Sequence, residues 1–334
     1  MLGDPMRRAR TEQGPIVLEG NDGLRVSILT HGASIQAIEL PTHAGPINVC
    51  LGYRDPREYR HDPYFMGSTV GRYAGRIDRG RLSVQSASVA LAVGAIGAPH
   101  CLHGGPDGFH SRQWELTEDA RPHHVLLRIR SPSGDQGFPG ALDATVRYQV
   151  LNGWQLAIDY CATTTSDTVI NLANHAYFNL DGDSDSVLDH IVRLHAEQFT
   201  PLLPSLIPTG QVCTVRGTEF DLRCPTRLRE RMANSDKLHD GFDQNFVVDG
   251  AEGELRPAAE VFSPRSGLYL AVHTTQPGLQ LYTGGSLGSP FKRFGGLCLE
   301  TQNFPDAPNQ ASFPDPWLKA GQVYRHRTVY KFRQ

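Results

Sequence analysis

Residues 144–161 of the chain have the sequence ATVRYQVLNGWQLAIDYC, and this stretch decides the fold class. Apolar and polar side chains alternate along Ala144–Val150 and again along Trp154–Cys161, with Asn152 and Gly153 in the break between them. Because successive side chains of a strand point to opposite faces, a period of two indicates a strand with one buried face. The stretch therefore predicts two strands of an antiparallel sheet.

The same alternation recurs from one end of the chain to the other. Further segments of this kind are Leu24–Ile28, Ile35–Leu40, His124–Ile129, Leu268–Thr275, Leu279–Thr283 and Val323–Phe332. The 34 glycines and 23 prolines of the 334 residues favour many short segments joined by turns. We therefore expect an all-β protein, a large antiparallel β-sandwich with few short helices.

One helix is predicted, over Pro225–Ala233, with Pro225 as an early helical residue. Its side chains expected to be exposed are Arg227, Arg229, Glu230 and Arg231. No linker or internal repeat interrupts the pattern, so residues 17–334 are expected to form a single domain. Residues 1–16 are expected to form a flexible arm, within which Met6 is an alternative start to Met1.

Composition excludes several classes of partner. The 32 Lys and Arg residues against 35 Asp and Glu residues leave a net charge of -3, so nucleic acid is not an expected partner. No stretch approaches 18 apolar residues, and no membrane association is expected. The arginines near the N terminus are not followed by an apolar run, which predicts a cytoplasmic protein without a secretory leader. The six cysteines are far apart and are expected to be free thiols.

Five clusters of polar, aromatic and glycine residues lie in the predicted connections, where a rigid sheet can hold functional side chains in place. They are Gly71–Arg76, His100–Gly105, Asn174–Asn179, Gly241–Asn245 and Glu300–Asn309. On local grounds each cluster also has an ordinary structural interpretation. The alternatives are surface charges for the arginines, a surface or packing role for His103, a core position at a strand end for His175, and solvated turns or strand ends for Asp243 and Glu300.

Two of these side chains have chemistry suited to proton transfer. His175 lies beside Tyr177 and Phe178, and aromatic surroundings desolvate an imidazole and shift its pKa. Glu300 follows an apolar run, and with an ordinary pKa of about 4.3 it can accept a proton.

His103 precedes two glycines, which let the backbone approach a ligand closely. His100 and His103 lack a second ligand cluster at matching spacing, so no metal site is expected.

Taken together, the clusters resemble the aldose 1-epimerase family, whose members are also called galactose mutarotases. The matching motifs occur in family order from about residue 17 to the C terminus: LHGG at 102–105, NHAYFNLDG at 174–182, GFDQNFVVD at 241–249, GLQLYTG at 278–284 and ETQNFPDAPNQ at 300–310. The resemblance implies a galactose mutarotase-like supersandwich, which agrees with the alternation of the strands.

The resemblance also implies roles for individual residues. His175 matches the family's general acid and Glu300 its general base. The positions that match substrate-binding residues are Arg76, His103, Asp243 and Gln280, and Tyr177 is expected to line the site. The family usually has Asn before the arginine of the first cluster, whereas this chain has Gly75. A hydrogen-bonding side chain is lost there, which puts the hydroxyl preference in question.

The reaction implied by the resemblance interconverts the α and β anomers of a free aldose such as galactose or glucose. It needs no cofactor, and the protein is expected to be a monomer or a homodimer. For His175 to be protonated at rest, we expect nearby carboxylates to raise its pKa.

Three alternative functions remain open: an enzyme for hexose 6-phosphates, a non-catalytic sugar-binding module, and a metalloenzyme built on His100 and His103.

Overall fold

The structure is a computed structural model that describes residues 14–84, 87–117, 121–182 and 186–334. Within these ranges the chain forms 27 strands, one α-helix and six short 3-10 helices. The prediction of an all-β protein with few short helices is therefore confirmed. Of the predicted N-terminal arm, residues 1–13, including Met1 and Met6, lie outside the described residues, and Ile16 already belongs to the first strand.

In chain order the strands are β1 (Ile16–Glu19), β2 (Arg25–Leu29), β3 (Ser34–Thr42), β4 (Gly45–Asn48), β5 (Thr69–Val70), β6 (Arg76–Ile77), β7 (Arg81–Val84), β8 (Ala87–Ala90), β9 (Cys101–Leu102), β10 (Glu115–Leu116), β11 (His124–Ser131), β12 (Leu142–Leu151), β13 (Gln155–Thr164), β14 (Thr168–Val169), β15 (Ala173–Asn174), β16 (Tyr177–Phe178), β17 (Ile191–Leu194), β18 (Gln198–Phe199), β19 (Cys213–Thr214), β20 (Thr226–Arg227), β21 (Asp243–Val247), β22 (Arg256–Phe262), β23 (Tyr269–Thr274), β24 (Gly278–Tyr282), β25 (Leu297–Gln302), β26 (Trp317–Leu318) and β27 (Tyr324–Arg333). The α-helix, α1, is Leu228–Ala233. The 3-10 helices are Pro56–His61, Asp78–Gly80, Phe109–Ser111, Asp135–Gly137, Asp236–Leu238 and Ala307–Asn309.

The largest sheet has nine strands in the order β10-β11-β12-β13-β27-β23-β22-β17-β20, and every neighbouring pair is antiparallel. The two strands predicted from residues 144–161 are β12 and β13, which lie side by side in it. Along β12 every second side chain is buried, from Leu142 to Val150. This alternation arises because one face of the sheet covers the core while the other faces solvent.

A second sheet of six strands, in the order β16-β25-β24-β21-β18-β19, packs against the nine-stranded sheet. The Phe178 ring of β16 meets the Tyr330 ring of β27 edge to face, with centroids 4.9 Å apart. The Thr301 and Thr328 hydroxyls, one from each sheet, are within 2.5 Å. All six residues of β25 are buried, because the core covers one face of the strand and an enclosed cavity lies on the other. The strand therefore shows no alternation of burial.

The α-helix begins later than predicted. It starts at Leu228, with Arg227 as the residue before its first turn, so the prediction that Pro225 is an early helical residue is wrong. The reason is tertiary: Thr226 and Arg227 pair with β17 at the edge of the nine-stranded sheet, which holds their backbone extended. Arg229 and Glu230 are exposed as predicted, whereas Arg227 and Arg231 are half-buried. None of the helices in the described ranges is long and apolar enough to cross a membrane.

Candidate active site

One cavity, of about 250 Å³, is lined by all seven residues that the sequence singled out. They are Arg76, His103, His175, Tyr177, Asp243, Gln280 and Glu300. Four of them lie on the adjacent strands β16, β25, β24 and β21, and His175 lies just before β16. The sheet order thus brings together side chains that are far apart along the chain.

The imidazole of His175 and the carboxylate of Glu300 face each other in this cavity. His175 Nε2 lies 3.7 Å from Glu300 Oε1. Glu300 is held in the middle of β25, directly opposite Gln280 of β24. His175 connects β15 and β16, where its N–H donates to the Ser68 carbonyl at 2.9 Å and its carbonyl accepts from Gly67 N–H at 3.0 Å. Both groups are therefore carried by backbone with fixed hydrogen bonds, which positions them for chemistry.

Burial dominates the electrostatics of Glu300. Its side chain is 3% exposed, and Oε2 has no hydrogen-bond partner among the described residues. Desolvation raises the pKa of Glu300 to about 8, with a smaller contribution from the negative charge of Asp243, while the Arg76 guanidinium opposes the shift. A buried oxygen without a hydrogen-bond partner in the protein is available to accept a hydrogen bond from a ligand. The carboxyl group is therefore a stronger base than an exposed glutamate.

The pKa of His175 shifts in the direction opposite to our expectation. Burial lowers the pKa of His175 to about 4; a hydrogen bond to its own backbone opposes the shift, and electrostatic repulsion from His110 adds to it. The prediction that nearby carboxylates raise the pKa of His175 is therefore wrong. Its closest carboxyl group is Glu300, which burial itself keeps protonated at neutral pH and which then has no charge to offer. Between about pH 4 and pH 8 the pair therefore holds one dissociable proton, on Glu300, in addition to the N–H of the neutral imidazole.

His103 is oriented as a hydrogen-bond donor to the cavity. Its Nδ1 accepts a hydrogen bond from Gly75 N–H at 3.2 Å, so the proton of the neutral ring lies on Nε2. The ring packs edge to face against His175, with centroids 5.3 Å apart, and against Phe65 at 4.7 Å. Burial, followed by the charges of His175, Arg76 and His110, holds the pKa of His103 well below its ordinary value.

His103, His175 and Glu300 have ligand atoms within 4.8 Å of one another, a set of residue types that can bind a metal ion. A metal ion at Nε2 of His103 would have to displace its proton while Nδ1 still faces the Gly75 N–H. This arrangement favours a hydroxyl oxygen over a metal. His100, the other histidine considered for zinc, accepts a hydrogen bond at Nδ1 from Arg79 N–H and is not among the residues that line the cavity.

Asp243, Gln280 and Arg76 form a polar wall of the cavity. The Gln280 amide donates to Asp243 Oδ1 at 2.6 Å, and an Arg76 guanidinium nitrogen lies 3.7 Å from Asp243 Oδ2. Gln280 Oε1 is buried and has no partner among the described residues. This wall presents a mixture of donors and acceptors, as recognition of a polyhydroxylated molecule requires. Tyr177 contributes its ring rather than its hydroxyl, which donates to the Tyr64 carbonyl at 3.0 Å.

The two arginines of the first cluster have different surroundings. Arg76 reaches the cavity, whereas Arg72 is 2% exposed and donates to the carbonyl oxygens of Ser131, Pro132, Pro139 and Gly140. Its guanidinium thus ties residues 131–140 to the segment that carries Arg76. Arg72 therefore has a structural role, but the interpretation of it as a surface charge is wrong, because its guanidinium is buried on these carbonyls.

We expect the Arg→Lys substitution to separate these roles. Arg72→Lys should destabilise the fold by about 1–3 kcal/mol, because an ammonium cannot reach all the buried carbonyls. Arg76→Lys should leave the melting temperature nearly unchanged and raise KM by roughly tenfold, since the planar fork is lost. Thermal melts and steady-state kinetics on both variants check this. A wild-type KM in Arg76→Lys would contradict the placement of Arg76 against substrate.

Several lining residues were not predicted. Gln302, which is 1% exposed, has an amide oxygen without a partner in the described part of the chain. The period of two along β25 would have identified it, because it lies two residues beyond Glu300. Three apolar side chains also line the cavity: Ile96, Leu202 and Leu206. These residues come from irregular loops, where no periodicity marks them.

Gly75, which replaces the Asn usual in the resembling family, also lines the cavity. Its φ of +79° is a conformation that glycine adopts without strain. A Cβ atom at this position would lie 3.2 Å from Pro305 Cγ. The cavity therefore has backbone rather than an amide side chain beside Arg76.

Comparison with known proteins agrees with these observations. The aldose 1-epimerase family model matches residues 15–331. Galactose mutarotase from Bos taurus is 40% identical over 324 residues, covering 93% of this chain and 92% of the bovine protein. Aldose 1-epimerase from Escherichia coli K12 is 34% identical over 329 residues, covering 95% and 94%. A solved aldose epimerase homologue from C. elegans has a TM-score of 0.90 at 31% identity, covering 97% of this chain and 99% of that one.

These matches extend over nearly the whole chain, including both large sheets and every strand that contributes to the cavity. The bovine relative is similar in sequence, and the solved C. elegans homologue is similar in its complete fold as well. By this extent of agreement, the chain belongs to the aldose 1-epimerase family.

Proposed function

We propose that this chain is an aldose 1-epimerase that interconverts the α and β anomers of free aldohexoses such as galactose and glucose. The observation that carries the proposal is the 3.7 Å separation of His175 Nε2 and Glu300 Oε1 in a cavity whose other walls offer donors and acceptors. The names of the relatives, galactose mutarotase and aldose 1-epimerase, support the same substrate class.

The reaction needs one proton removed and one supplied. Glu300 takes the proton from the C1 hydroxyl while His175 donates its Nε2 proton to the ring oxygen, and the bond between C1 and the ring oxygen breaks. The resulting aldehyde rotates about the C1–C2 bond, and closure on the other face returns both protons. Protons are conserved over the cycle, so these two side chains are sufficient and no cofactor is required.

The protonation of His175 and Glu300 is compatible with this cycle. One proton shared by the pair resides on Glu300 at rest, according to the directions of the two pKa shifts. Moving it to His175 leaves the total number of protons unchanged and produces the ionised base and charged acid that ring opening uses. A sugar hydroxyl between the two groups provides the path, because neither side chain is within hydrogen-bonding distance of the other.

The remaining residues bind the sugar in this proposal. His103 and Arg76 donate hydrogen bonds to its oxygens, and Asp243 and Gln280 accept from its hydroxyls. Tyr177 supplies an aromatic surface at 5.1 Å from the His175 ring. The substitution of Gly75 for Asn removes one further hydrogen-bonding group, so we expect hydroxyl preference among aldoses to depend on this position.

Polarimetry of freshly dissolved α-D-galactose tests the function. The protein should accelerate the change in optical rotation well above the spontaneous rate in buffer, and a panel of fresh aldoses should define the preferred sugar. Glucose 6-phosphate should be a poor substrate, since Arg76 is the only Arg or Lys among the described residues that line the cavity. No acceleration with any free aldose would refute the proposal.

The pH dependence of kcat/KM should be bell-shaped, with a plateau between about pH 4 and pH 8. Above the plateau the pair loses its dissociable proton, and His175 can no longer be charged to act as the general acid. Below the plateau both groups are protonated and the base is lost. The rate at each pH is measured by polarimetry after subtraction of the spontaneous rate. A profile that keeps rising above pH 9 would contradict the requirement for a proton on the pair.

We further propose that the protein acts in the cytoplasm as a monomer or homodimer. All six cysteines are free thiols, which suits a reducing compartment. Every residue of the proposed site comes from one chain, so catalysis does not require a second copy.

A further inference from the structure

The motif that contains Glu300 also supplies a buried carboxylate, that of Asp306, which the proposed mechanism does not use. Asp306 is 1% exposed. Its φ of +56° is a left-handed conformation, which aspartate adopts more readily than most residues. Burying a carboxylate is costly unless hydrogen bonds compensate for the lost water. The partners of Asp306 therefore indicate what the residue holds in place.

Asp306 holds β6, the two-residue strand that carries Arg76, at both of its ends. The Asp306 N–H donates to the Arg76 carbonyl at 2.7 Å, and Asp306 Oδ1 accepts from the Asp78 N–H at 2.9 Å. The side chains of Asn309 and Gln310 also donate to the carboxylate, to Oδ1 at 2.6 Å and to Oδ2 at 2.9 Å. These two residues thus fix the carboxylate, and the carboxylate fixes β6.

The other contacts of β6 do not fix it to the same extent. On its other edge β6 pairs with β9 over two residues, in a sheet of these two strands. A two-stranded ribbon of this length is only marginally stable by itself. A further attachment lies earlier in the segment, where the Asn171 side chain donates to the Ala74 carbonyl at 3.0 Å and accepts from the Asn303 N–H at 2.8 Å. Asp306 is therefore the attachment that brackets Arg76 itself.

The guanidinium of Arg76 depends on this attachment for its direction. Its side chain is 20% exposed, and one nitrogen lies 3.7 Å from Asp243 Oδ2. In the described part of the chain no hydrogen bond holds the guanidinium, in contrast to that of Arg72, which donates to buried carbonyls. Because the guanidinium is not fixed directly, the backbone that carries it determines where it lies.

We propose that Asp306 is a positioning residue for Arg76, whose carboxylate and N–H hold β6 so that the guanidinium lies against Asp243 and the sugar. The sequence places Asp306 six residues after Glu300, so the same segment carries the general base and sets the position of Arg76. The consequence for sugar binding rests on the proposed function, whereas the direction of the guanidinium is a property of the resting protein.

Asp306→Gly removes the carboxylate and keeps the backbone conformation, because glycine adopts a positive φ without strain. We expect KM for galactose to rise about tenfold while kcat stays within about threefold of wild type, since a misdirected Arg76 loses its hydrogen bond to the sugar. Asp306→Asn keeps an acceptor for the Asp78 N–H and should restore KM to within about threefold. In the Arg76→Ala background, Asp306→Gly should change KM by less than about twofold, because its effect acts through Arg76.

A second variant tests the same attachment with Asp306 left in place. Asn309→Ala combined with Gln310→Ala removes the two side-chain donors that fix the carboxylate. Asn309 is exposed and Gln310 is half-buried, so this variant should fold even if Asp306→Gly does not. We expect KM to rise about two- to fivefold, and this rise should also disappear in the Arg76→Ala background.

The direction of the guanidinium is measured without substrate, from the Nε–H signals of ¹⁵N-arginine-labelled full-length protein. The Arg76 signal is assigned by its absence in Arg76→Lys. We expect this signal to shift or broaden in Asp306→Gly and, to a smaller extent, in the variant of Asn309 and Gln310. The Arg72 signal should stay in place in both, because buried carbonyls hold that guanidinium.

The matched control is Asp22→Ala. Asp22 Oδ2 likewise accepts from backbone N–H groups, those of Gly153 at 2.6 Å and Trp154 at 2.9 Å, but Asp22 is not among the residues that line the cavity. This variant should keep both KM and the Arg76 signal. An unchanged Arg76 signal in the folded variants would overturn the inference, as would a rise in KM that multiplies with that of Arg76→Ala. Failure of the wild type to accelerate mutarotation would instead refute the proposed function, and the Arg76 signal would still decide the role of Asp306.

Discussion

Glu300→Gln should lower kcat for mutarotation of α-D-galactose by about 10²–10⁴-fold, the usual contribution of a general base. The amide keeps the shape of the side chain but cannot accept a proton from the C1 hydroxyl. The sugar should still bind, because Arg76, His103, Asp243 and Gln280 remain in place. Polarimetry measures kcat, and calorimetric titration with galactose measures binding. Undiminished catalysis in this variant would remove Glu300 from the mechanism.

The stability of the same variant checks that it is folded and that Glu300 is buried as described. The pKa of Glu300 is raised from 4.5 to about 8 in the folded protein, so folding favours the protonated carboxyl group. Wild-type stability from this group is complete below pH 4.5 and is lost as the pH rises through about 8, where a buried charge must form. Glutamine has no such charge. The melting temperature of Glu300→Gln minus that of the wild type should therefore be larger at pH 9 than at pH 6.

His175→Asn should also lower kcat by about 10²–10⁴-fold, because the amide cannot donate a proton to the ring oxygen. The effect on KM should be small, since the sugar keeps its other hydrogen bonds. Because acid and base act together, the double variant with Glu300→Gln should be little slower than either single variant. Steady-state polarimetry of the three variants tests this. Strictly multiplicative losses would indicate that the two residues act in separate steps.

His110→Asn is the matched control for His175→Asn. His110 is also a largely buried histidine, whose pKa burial lowers to about 4, and it packs against the same Phe65 ring as His103. It does not, however, line the cavity. This variant should retain a kcat close to that of the wild type. A loss as large as that of His175→Asn would show that the imidazole cluster as a whole, rather than one member of it, supports catalysis.

The alternation of apolar and polar residues predicts those strands that have one buried face and one exposed face. Along β12 the alternation between core and solvent is complete, so the strand was found within two residues of its observed ends. Along β25 both faces are buried, so the strand shows no alternation. The sequence therefore left open the interpretation of Glu300 as a solvated residue at a strand end. The start of α1 was misplaced because pairing with β17, which is distant in sequence, keeps Thr226 and Arg227 extended.

The sequence alone determined the fold class and the set of candidate residues, because strand periodicity and motif order are properties of neighbouring positions along the chain. It could not distinguish Arg72, which clamps buried carbonyls, from Arg76, which reaches the cavity. Nor could it predict that the pKa of His175 falls while that of Glu300 rises. Those outcomes depend on how completely water is excluded around each group, and this is decided by side chains brought together from separate strands only when the sheets have packed.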